Sequence, residues 1–367
     1  MDYAKRIKKL QKKLRRKKVD ALLVSQSHNR RYLSGFTATD HDISESSGVL
    51  LIPARGEGLL LTDFRYRQQA EQEVPHLQIK MYPRGLINLL KSLLPKCDIR
   101  KLGFESSYML HSTHRTMKDA FKKKGIELVP LSGMIEKMRT VKDAEEIALI
   151  RESVTRNEQV FRDILPTITS SQTEIDIALA LEQRMRVLGA SSPSFATIVA
   201  AGENSALPHA VPQNSRIGAA GPLTIDMGLI LNGYCSDMTR TFIPGKRVTK
   251  KYQDIHRIVR QAQLAGIATI KAGISGKEVD KAARDIIADA GYGDYFGHSL
   301  GHGVGLAVHE APRLSTQSKD TLKAGMIVTV EPGIYIPGWG GIRLENMVIV
   351  TEDGCENLNS DTTWLDI

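Results

Sequence analysis

The sequence predicts an α/β N-terminal domain followed by an α+β domain with an internal pseudo-two-fold repeat. Three observations predict it. In residues 1–135 short apolar runs alternate with amphipathic helical patterns, as expected of helices packed on a sheet. A charged stretch, Met134–Glu146, leads into a long helical pattern, so the domains divide as 1–135 and 136–367. Beyond it, one order of helix start, helix end, histidine and two acids occurs twice.

A chain of 367 residues accommodates two domains. Its 41% hydrophobic and 25% charged residues are those of a folded protein, well away from the disordered class. No apolar run is long enough to cross a bilayer, and no apolar stretch follows the basic N-terminus, so neither a membrane partner nor a secretory leader is expected. The three cysteines, Cys97, Cys235 and Cys355, are far apart and form no Cys-x-x-Cys. That pattern suits a reducing cytoplasm and excludes a disulfide scaffold or a thiolate zinc site. The net charge of +9 is local: residues 1–18 hold ten Lys/Arg against Asp2 alone, a surplus of nine. Tyr3, Ile7, Leu10 and Leu14 stand there at helical spacing. One face therefore docks while the basic face stays in water, and nucleic acid is not an expected partner.

The first domain reads in order as strand runs Val19–Ser25, Gly48–Ile52, Leu59–Thr62 and Leu77–Tyr82, a helix over Gly85–Leu94, then strands Lys101–Glu105 and Ile126–Pro130. It contains no cluster of metal-ligand types. In the second domain Ser171-x-x-Glu174 has the capping-box pattern and opens a helix ending near Gly189. Ser275-x-x-Glu278 opens another ending near Gly291. His209-Ala-Val-Pro212, Asp226 and Asp237 follow the first; His309-Glu-Ala-Pro312, Glu331 and Glu345 follow the second. The offsets are 104 (171 to 275), 102 (189 to 291), 100 (209 to 309), 105 (226 to 331) and 108 (237 to 345). Five in order argue for a duplicated half-domain that aims two acid pairs at a shared centre.

The first pair flanks Asn232-Gly233, a dipeptide that favours a type I′ hairpin turn. With that turn Leu231 pairs with Tyr234 and Asp226 faces Thr239. Asp226 and Asp237 become diagonal neighbours on one face, about 7–8 Å apart at the backbone, while Ile225, Met227, Leu229 and Leu231 face the core. Two acids so placed repel each other without a cation; a solvated sheet edge is the alternative. Glu331 ends the apolar run Met326–Val330, and Glu345 lies in Gly341-Ile-Arg-Leu-Glu345. A carboxylate at the end of so apolar a strand needs a partner or a metal. Arg343 shares the face of Glu345 and either orients the acids or forms a plain ion pair. His302 sits among glycines in Gly297-His-Ser-Leu-Gly-His-Gly-Val-Gly-Leu-Ala-Val-His309, which permit close backbone approach. Alone it suits a ligand and a structural residue equally, and the two acid pairs give it weight. Position 313 is Arg, so His309-Glu310 does not complete His-Glu-x-x-His.

Four carboxylates and an imidazole make a hard, oxygen-rich site. It favours two divalent ions such as Mn²⁺, with Co²⁺, Zn²⁺ or Fe²⁺ as alternatives. Two such ions about 3.5–4 Å apart activate a bridging water and clamp an oxyanion, which predicts a dinuclear-metal hydrolase. No phosphate-binding Gly-x-x-x-x-Gly-Lys loop is present. His209 and His309 suit hydrogen bonding to a substrate carbonyl or carboxylate.

With those residues in hand, the chain resembles the creatinase/aminopeptidase family with the pita-bread fold, particularly the Xaa-Pro aminopeptidases and prolidases. The resemblance rests on Ile225-Asp-Met-Gly, Ser236-Asp-Met-Thr-Arg-Thr-Phe, Gly301-His-Gly-Val-Gly-Leu-x-Val-His-Glu, Val330-Glu-Pro-Gly-Ile-Tyr and Gly341-Ile-Arg-Leu-Glu-Asn. Weaker matches in Asn29–Phe36 and Arg139–Glu146 extend it over nearly the whole chain. It implies a creatinase-like α/β domain over 1–135 and a pita-bread catalytic domain over 136–367. It implies that Asp226, Asp237, His302, Glu331 and Glu345 hold two metals, with Glu331 also moving protons for a bridging hydroxide. His209 and His309 match the family's substrate-side histidines, His298 a further active-site histidine, for which a structural role is the alternative, and Arg343 an arginine behind the ligands. The implied activity is cleavage of the bond between an N-terminal residue and proline, the implied partners a peptide with proline second and a second copy of the chain. A dipeptidase (prolidase), a creatinase-like C–N hydrolase and a non-catalytic binding module are the alternatives; intact ligands count against the last two. The stretch Asp40–Ser47 is polar and longer than the family's usual connection there.

Overall fold

The computed structural model describes residues 1–40, 42–244 and 248–360. His41, within the Asp40–Ser47 stretch, lies outside them. The chain forms two compact units, Met1–Arg139 and a second beginning at Thr140.

Each apolar run of the first unit becomes a strand of one six-stranded sheet: β1 (Ala21–Val24), β2 (Val49–Pro53), β3 (Leu59–Thr62), β4 (Gln78–Met81), β5 (Lys101–Glu105) and β6 (Glu127–Leu131), in the order β4-β3-β2-β1-β5-β6. Neighbours β2–β3 and β1–β2 run antiparallel, the other pairs parallel. The helices are α1 (Tyr3–Lys17), α2 (Ser27–Ser34), α3 (Arg67–Glu73), α4 (Leu86–Lys96), α5 (His111–Lys122) and the short α6 (Glu136–Arg139). Leu23, Leu51, Leu61, Leu90 and Phe121 share the core. In α1 the Asp2 carboxylate accepts from the Lys5 N–H, and Ile7, Leu10 and Leu14 are buried while the lysines face outward.

The second unit opens with α7 (Ala144–Ile164), whose start is fixed by an Asp143/Glu146 capping box, and α8 (Glu174–Val187). Strands β7 (Ser192–Pro193), β8 (Ile198–Ala201), β9 (Leu223–Met227), β10 (Leu229–Leu231), β11 (Tyr234–Cys235) and β12 (Met238–Phe242) follow. The order of a helix pair and then strands recurs in α9 (Lys250–Thr269), α10 (Gly276–Asp289), β13 (Gly301–Gly303), β14 (Glu310–Leu314), β15 (Ile327–Val330), β16 (Gly333–Ile336), β17 (Gly340–Arg343), β18 (Asn346–Val350) and β19 (Cys355–Asn357). Among the described residues the sheets are β12-β9-β8, β11-β10-β7, β14-β13-β15-β18-β19 and the pair β16-β17.

One expectation needs correction. The Ser275/Glu278 capping box forms as read, but α8 is capped by Thr173 with Asp176, not by Ser171 with Glu174. The Glu174 carboxylate instead accepts from the N–H groups of Ala201 and Gln213 and the Asn204 amide. Tertiary hydrogen bonds claimed the residue that local spacing had assigned to the cap, and the matched cap positions are then 102 apart (173 to 275).

Candidate metal centre

Two hairpins deliver the acids. In the first, Asn232 (φ 51°) and Gly233 (φ 85°) supply the two positive φ angles of a type I′ turn. Leu231 pairs with Tyr234 and, further along, Asp226 with Thr239. Between β9 and β10, Gly228 packs against Ser236 O and the Ser194 hydroxyl, with no room for a side chain. Ile225, Met227, Leu229 and Leu231 enter a core with Leu181 and Met185, so the opposite face presents Asp226 and Asp237. In the second, Val330 pairs with Asn346, with Glu331 and Glu345 immediately beyond the end of that ladder. A bond from Glu345 N–H to Thr239 O (3.1 Å) joins the two hairpins at this point. His302 arrives on β13, its N–H donated to the Thr329 hydroxyl (3.0 Å), which itself donates to Glu331 (3.1 Å).

The five residues therefore converge. His302 Nε2 lies 3.3 Å from Glu331 Oε1 and 3.6 Å from Asp237 Oδ2. Ligand atoms of Asp237, His302 and Glu345 all lie within 4.8 Å of one another. Arg343 binds across the group: it donates to Asp226 Oδ2 (2.7 Å), the Thr239 hydroxyl (3.1 Å) and the Tyr335 phenol (2.9 Å). The Thr239 hydroxyl in turn donates a hydrogen bond to Glu345 Oε2 (2.7 Å).

Burial sets the electrostatics. It raises the Asp237 and Glu345 carboxyls well above their usual range, with the neighbouring carboxylates adding to the effect. Glu331 is pushed up to about 8 by burial, against the pull of Arg343 and with the repulsion of Asp226. His302 is lowered to about 3, first by burial and then by His309, so its imidazole is neutral and ready to ligate. Asp226 Oδ1 and Glu345 Oε1 are buried with no hydrogen-bond partner among the described residues. Crowded acids, orphaned oxygens and a neutral imidazole are what a divalent cation would satisfy. The donor set fits the metals implied by the resemblance.

These residues floor a cavity of about 370 Å³. Phe195, Ile198, Pro208 and Val211 give it an apolar wall; His209, His309 and Arg313 stand exposed along it. The His309 ring meets His302 edge-on, centroids 4.3 Å apart. His298 also lines the cavity, but both its nitrogens are engaged, Nδ1 at Ser299 O and Nε2 at the Tyr335 hydroxyl, each at 2.8 Å. The Ser299 carbonyl can only accept, so Nδ1 donates to it, and Nε2 of an imidazole lowered to about 4 by burial accepts from the Tyr335 hydroxyl.

Sequence reasoning had not singled out Tyr335, Thr239, Thr329 or Arg313. Thr239 was findable, two residues from Asp237 and so on its face. Arg313 had been noted only for breaking a zinc motif; among the described residues its guanidinium has no carboxylate partner, although it stands in an acidic cavity.

Comparison with known proteins agrees with this architecture. Residues 148–352 match metallopeptidase family M24, and residues 6–141 match the creatinase/prolidase N-terminal domain. Peptidase YqhT of Bacillus subtilis (strain 168) is 40% identical over 92% of this chain and 92% of its own. The solved Xaa-Pro dipeptidase from Bacillus anthracis superposes with a TM-score of 0.91 at 40% identity, covering 98% of both chains. The X-Pro aminopeptidase from Thermotoga maritima MSB8 does so at 0.85 and 35%, covering 94% of this chain and 96% of its own. Among the described residues no helix is long and apolar enough to cross a membrane. A creatinase-type α/β unit precedes a pita-bread catalytic unit, divalent metal ions are implied, and the chain belongs to metallopeptidase family M24, a family of hydrolases.

Proposed function

We propose that the chain hydrolyses the peptide bond between an N-terminal residue and proline, with two divalent ions, preferentially Mn²⁺, held by Asp226, Asp237, His302, Glu331 and Glu345. The observation that carries the reading is the convergence of four carboxylates and a neutral imidazole, with orphaned oxygens, beneath a half-apolar cavity. Bound there, divalent ions supply Lewis acidity toward a carbonyl and acidify a water. The chain supplies the rest. A bond to proline has no N–H, and its leaving nitrogen is a ring amine that must gain a proton. Glu331, at the centre of the acid cluster, takes a proton from the attacking water and returns it to that nitrogen. His309 and His209 hold the carbonyl and proline sides respectively, the apolar wall covers the ring, and the acids attract the substrate ammonium. Arg343 is a positioning residue for Asp226, itself held through Tyr335 by His298.

Arg313 favours a second reading. A cation with no carboxylate partner among the described residues, placed in the cavity, complements a free C-terminal carboxylate, so a dipeptidase would use it and a longer peptide would not. Under either reading residues 1–135 are a domain without ligands, and the enzyme is a cytoplasmic homodimer, consistent with three free thiols. The test compares Ala-Pro, Ala-Pro-Ala, Ala-Ala-Ala and N-acetyl-Ala-Pro-Ala in Mn²⁺. Cleavage of the first two alone supports an aminopeptidase; cleavage of Ala-Pro alone, lost in R313A, moves the activity to a dipeptidase. Equal cleavage of Ala-Ala-Ala or of the acetylated peptide refutes the proposal.

A further inference from the structure

A second charged feature lies apart from the acid cluster. Lys142 Nζ stands 2.7 Å from Glu310 Oε1, with the two side chains only 1% and 9% exposed. Lys142 comes from the segment ahead of α7, tied down where its N–H bonds Gly325 O (2.9 Å) and Val141 bridges to Met326. Glu310 opens β14 directly after His309. Its carboxylate lies under the 304–309 turn, where a Cβ on Gly305 would meet Oε1 at 2.5 Å. The turn is held from its other side by Cys235 N–H, which donates to Gly305 O (2.8 Å).

Stability alone is a weak reason for so dry an ion pair, because two charges lose their hydration to form it. What the pair does fix is geometry. Among the described residues the His309 ring has no hydrogen-bond partner, only the edge contact with His302. Its position is therefore set by the backbone that carries it. Adjoining residue 310 is paired with Gly303 at the irregular end of the β13–β14 ladder, where the register shifts, and its side chain is anchored to Lys142.

We propose that Lys142 is a positioning residue for His309, acting through Glu310 to hold the turn that aims the imidazole into the cavity. The inference rests on the reading above that His309 contacts substrate. The test is a double-mutant cycle in the Mn²⁺-loaded enzyme, reading kcat/KM on Ala-Pro and, separately, Mn²⁺ equivalents bound and Tm. K142M lowers kcat/KM roughly 10–100-fold, the scale of misplacing a group by about an ångström, while Mn²⁺ binding is unchanged; K142R restores most of the activity. In an H309A background K142M adds no further loss. Additive losses, or a loss that follows Mn²⁺ binding or unfolding, overturn the proposal. If K142M does not fold, the neutral exchange K142Q/E310Q takes its place and must obey the same non-additivity. An H309A enzyme of normal activity overturns the histidine's role and this proposal together; a sensitive H309A with additive K142M overturns this proposal alone.

Discussion

Glu331 is both a ligand and the proton carrier of the proposed chemistry. Burial lifts its carboxyl to about 8, Arg343 restrains that rise and Asp226 adds to it. Replacing it by Gln keeps the shape and a coordinating oxygen but removes the proton carrier. E331Q should therefore lower kcat by about 10²–10⁴ while retaining most Mn²⁺ binding, as measured by metal analysis beside steady-state kinetics. Near-normal turnover would remove Glu331 from the proton path. The acids of this site were legible in the sequence because a carboxylate ending an apolar strand announces a cost that something must offset. Tyr335, Thr239 and Thr329 were not, because a hydroxyl is tolerated almost anywhere in a chain. Its role as a link between Arg343, Glu345, Glu331 and His302 exists only once the two hairpins meet.

At the scale of elements, the β9–β12 hairpin was readable down to its register, since Asn232-Gly233 dictates the turn and the turn dictates which residues face each other. The α8 cap was not readable: Ser171/Glu174 and Thr173/Asp176 both satisfy the local pattern, and a loop over 201–213 decides between them by occupying Glu174. The hairpin also carries a prediction. A methyl at Gly228 would collide with Ser236 O and the Ser194 hydroxyl, prying β9 from β12 where Asp226 and Asp237 must stay adjacent. G228A should cost about 1–3 kcal/mol in urea unfolding and weaken Mn²⁺ binding; a variant with unchanged affinity would show that the two strands are not coupled to the site. For α1, exchanging the exposed Lys8, Lys9 and Lys12 for Glu should leave kcat/KM unchanged, because neither charge nor ligand is needed from them. Deleting residues 1–18 should lower the melting temperature, since Leu10 and Leu14 are fully buried. Salt-resistant, sequence-selective DNA binding by the intact chain would contradict this account of the basic helix.

Across the whole molecule, the acid cluster links folding, pH and metal. Without metal, the raised carboxyls stay protonated in the folded chain at pH values where the unfolded chain has lost those protons. For Glu331 that contribution to stability is complete below about 4.5 and disappears as pH rises through about 8, and Asp237 and Glu345 act in the same direction. The metal-free protein should melt at progressively lower temperature over that window. Divalent ions need the carboxylates ionised, so binding should release protons and tighten with rising pH, reversing the trend. The two-unit plan was legible because apolar periodicity and a repeated order of helix caps, histidines and acids survive in a single chain. The convergence of both acid pairs on one cavity was an inference from that repeat, and its geometry required the fold. The most direct test of the central claim is a titration of the stripped protein with Mn²⁺, following ion bound and turnover of Ala-Pro together. The account predicts binding that approaches two equivalents per chain and activity that reaches its plateau only then. Full activity at a single tight equivalent would contradict it.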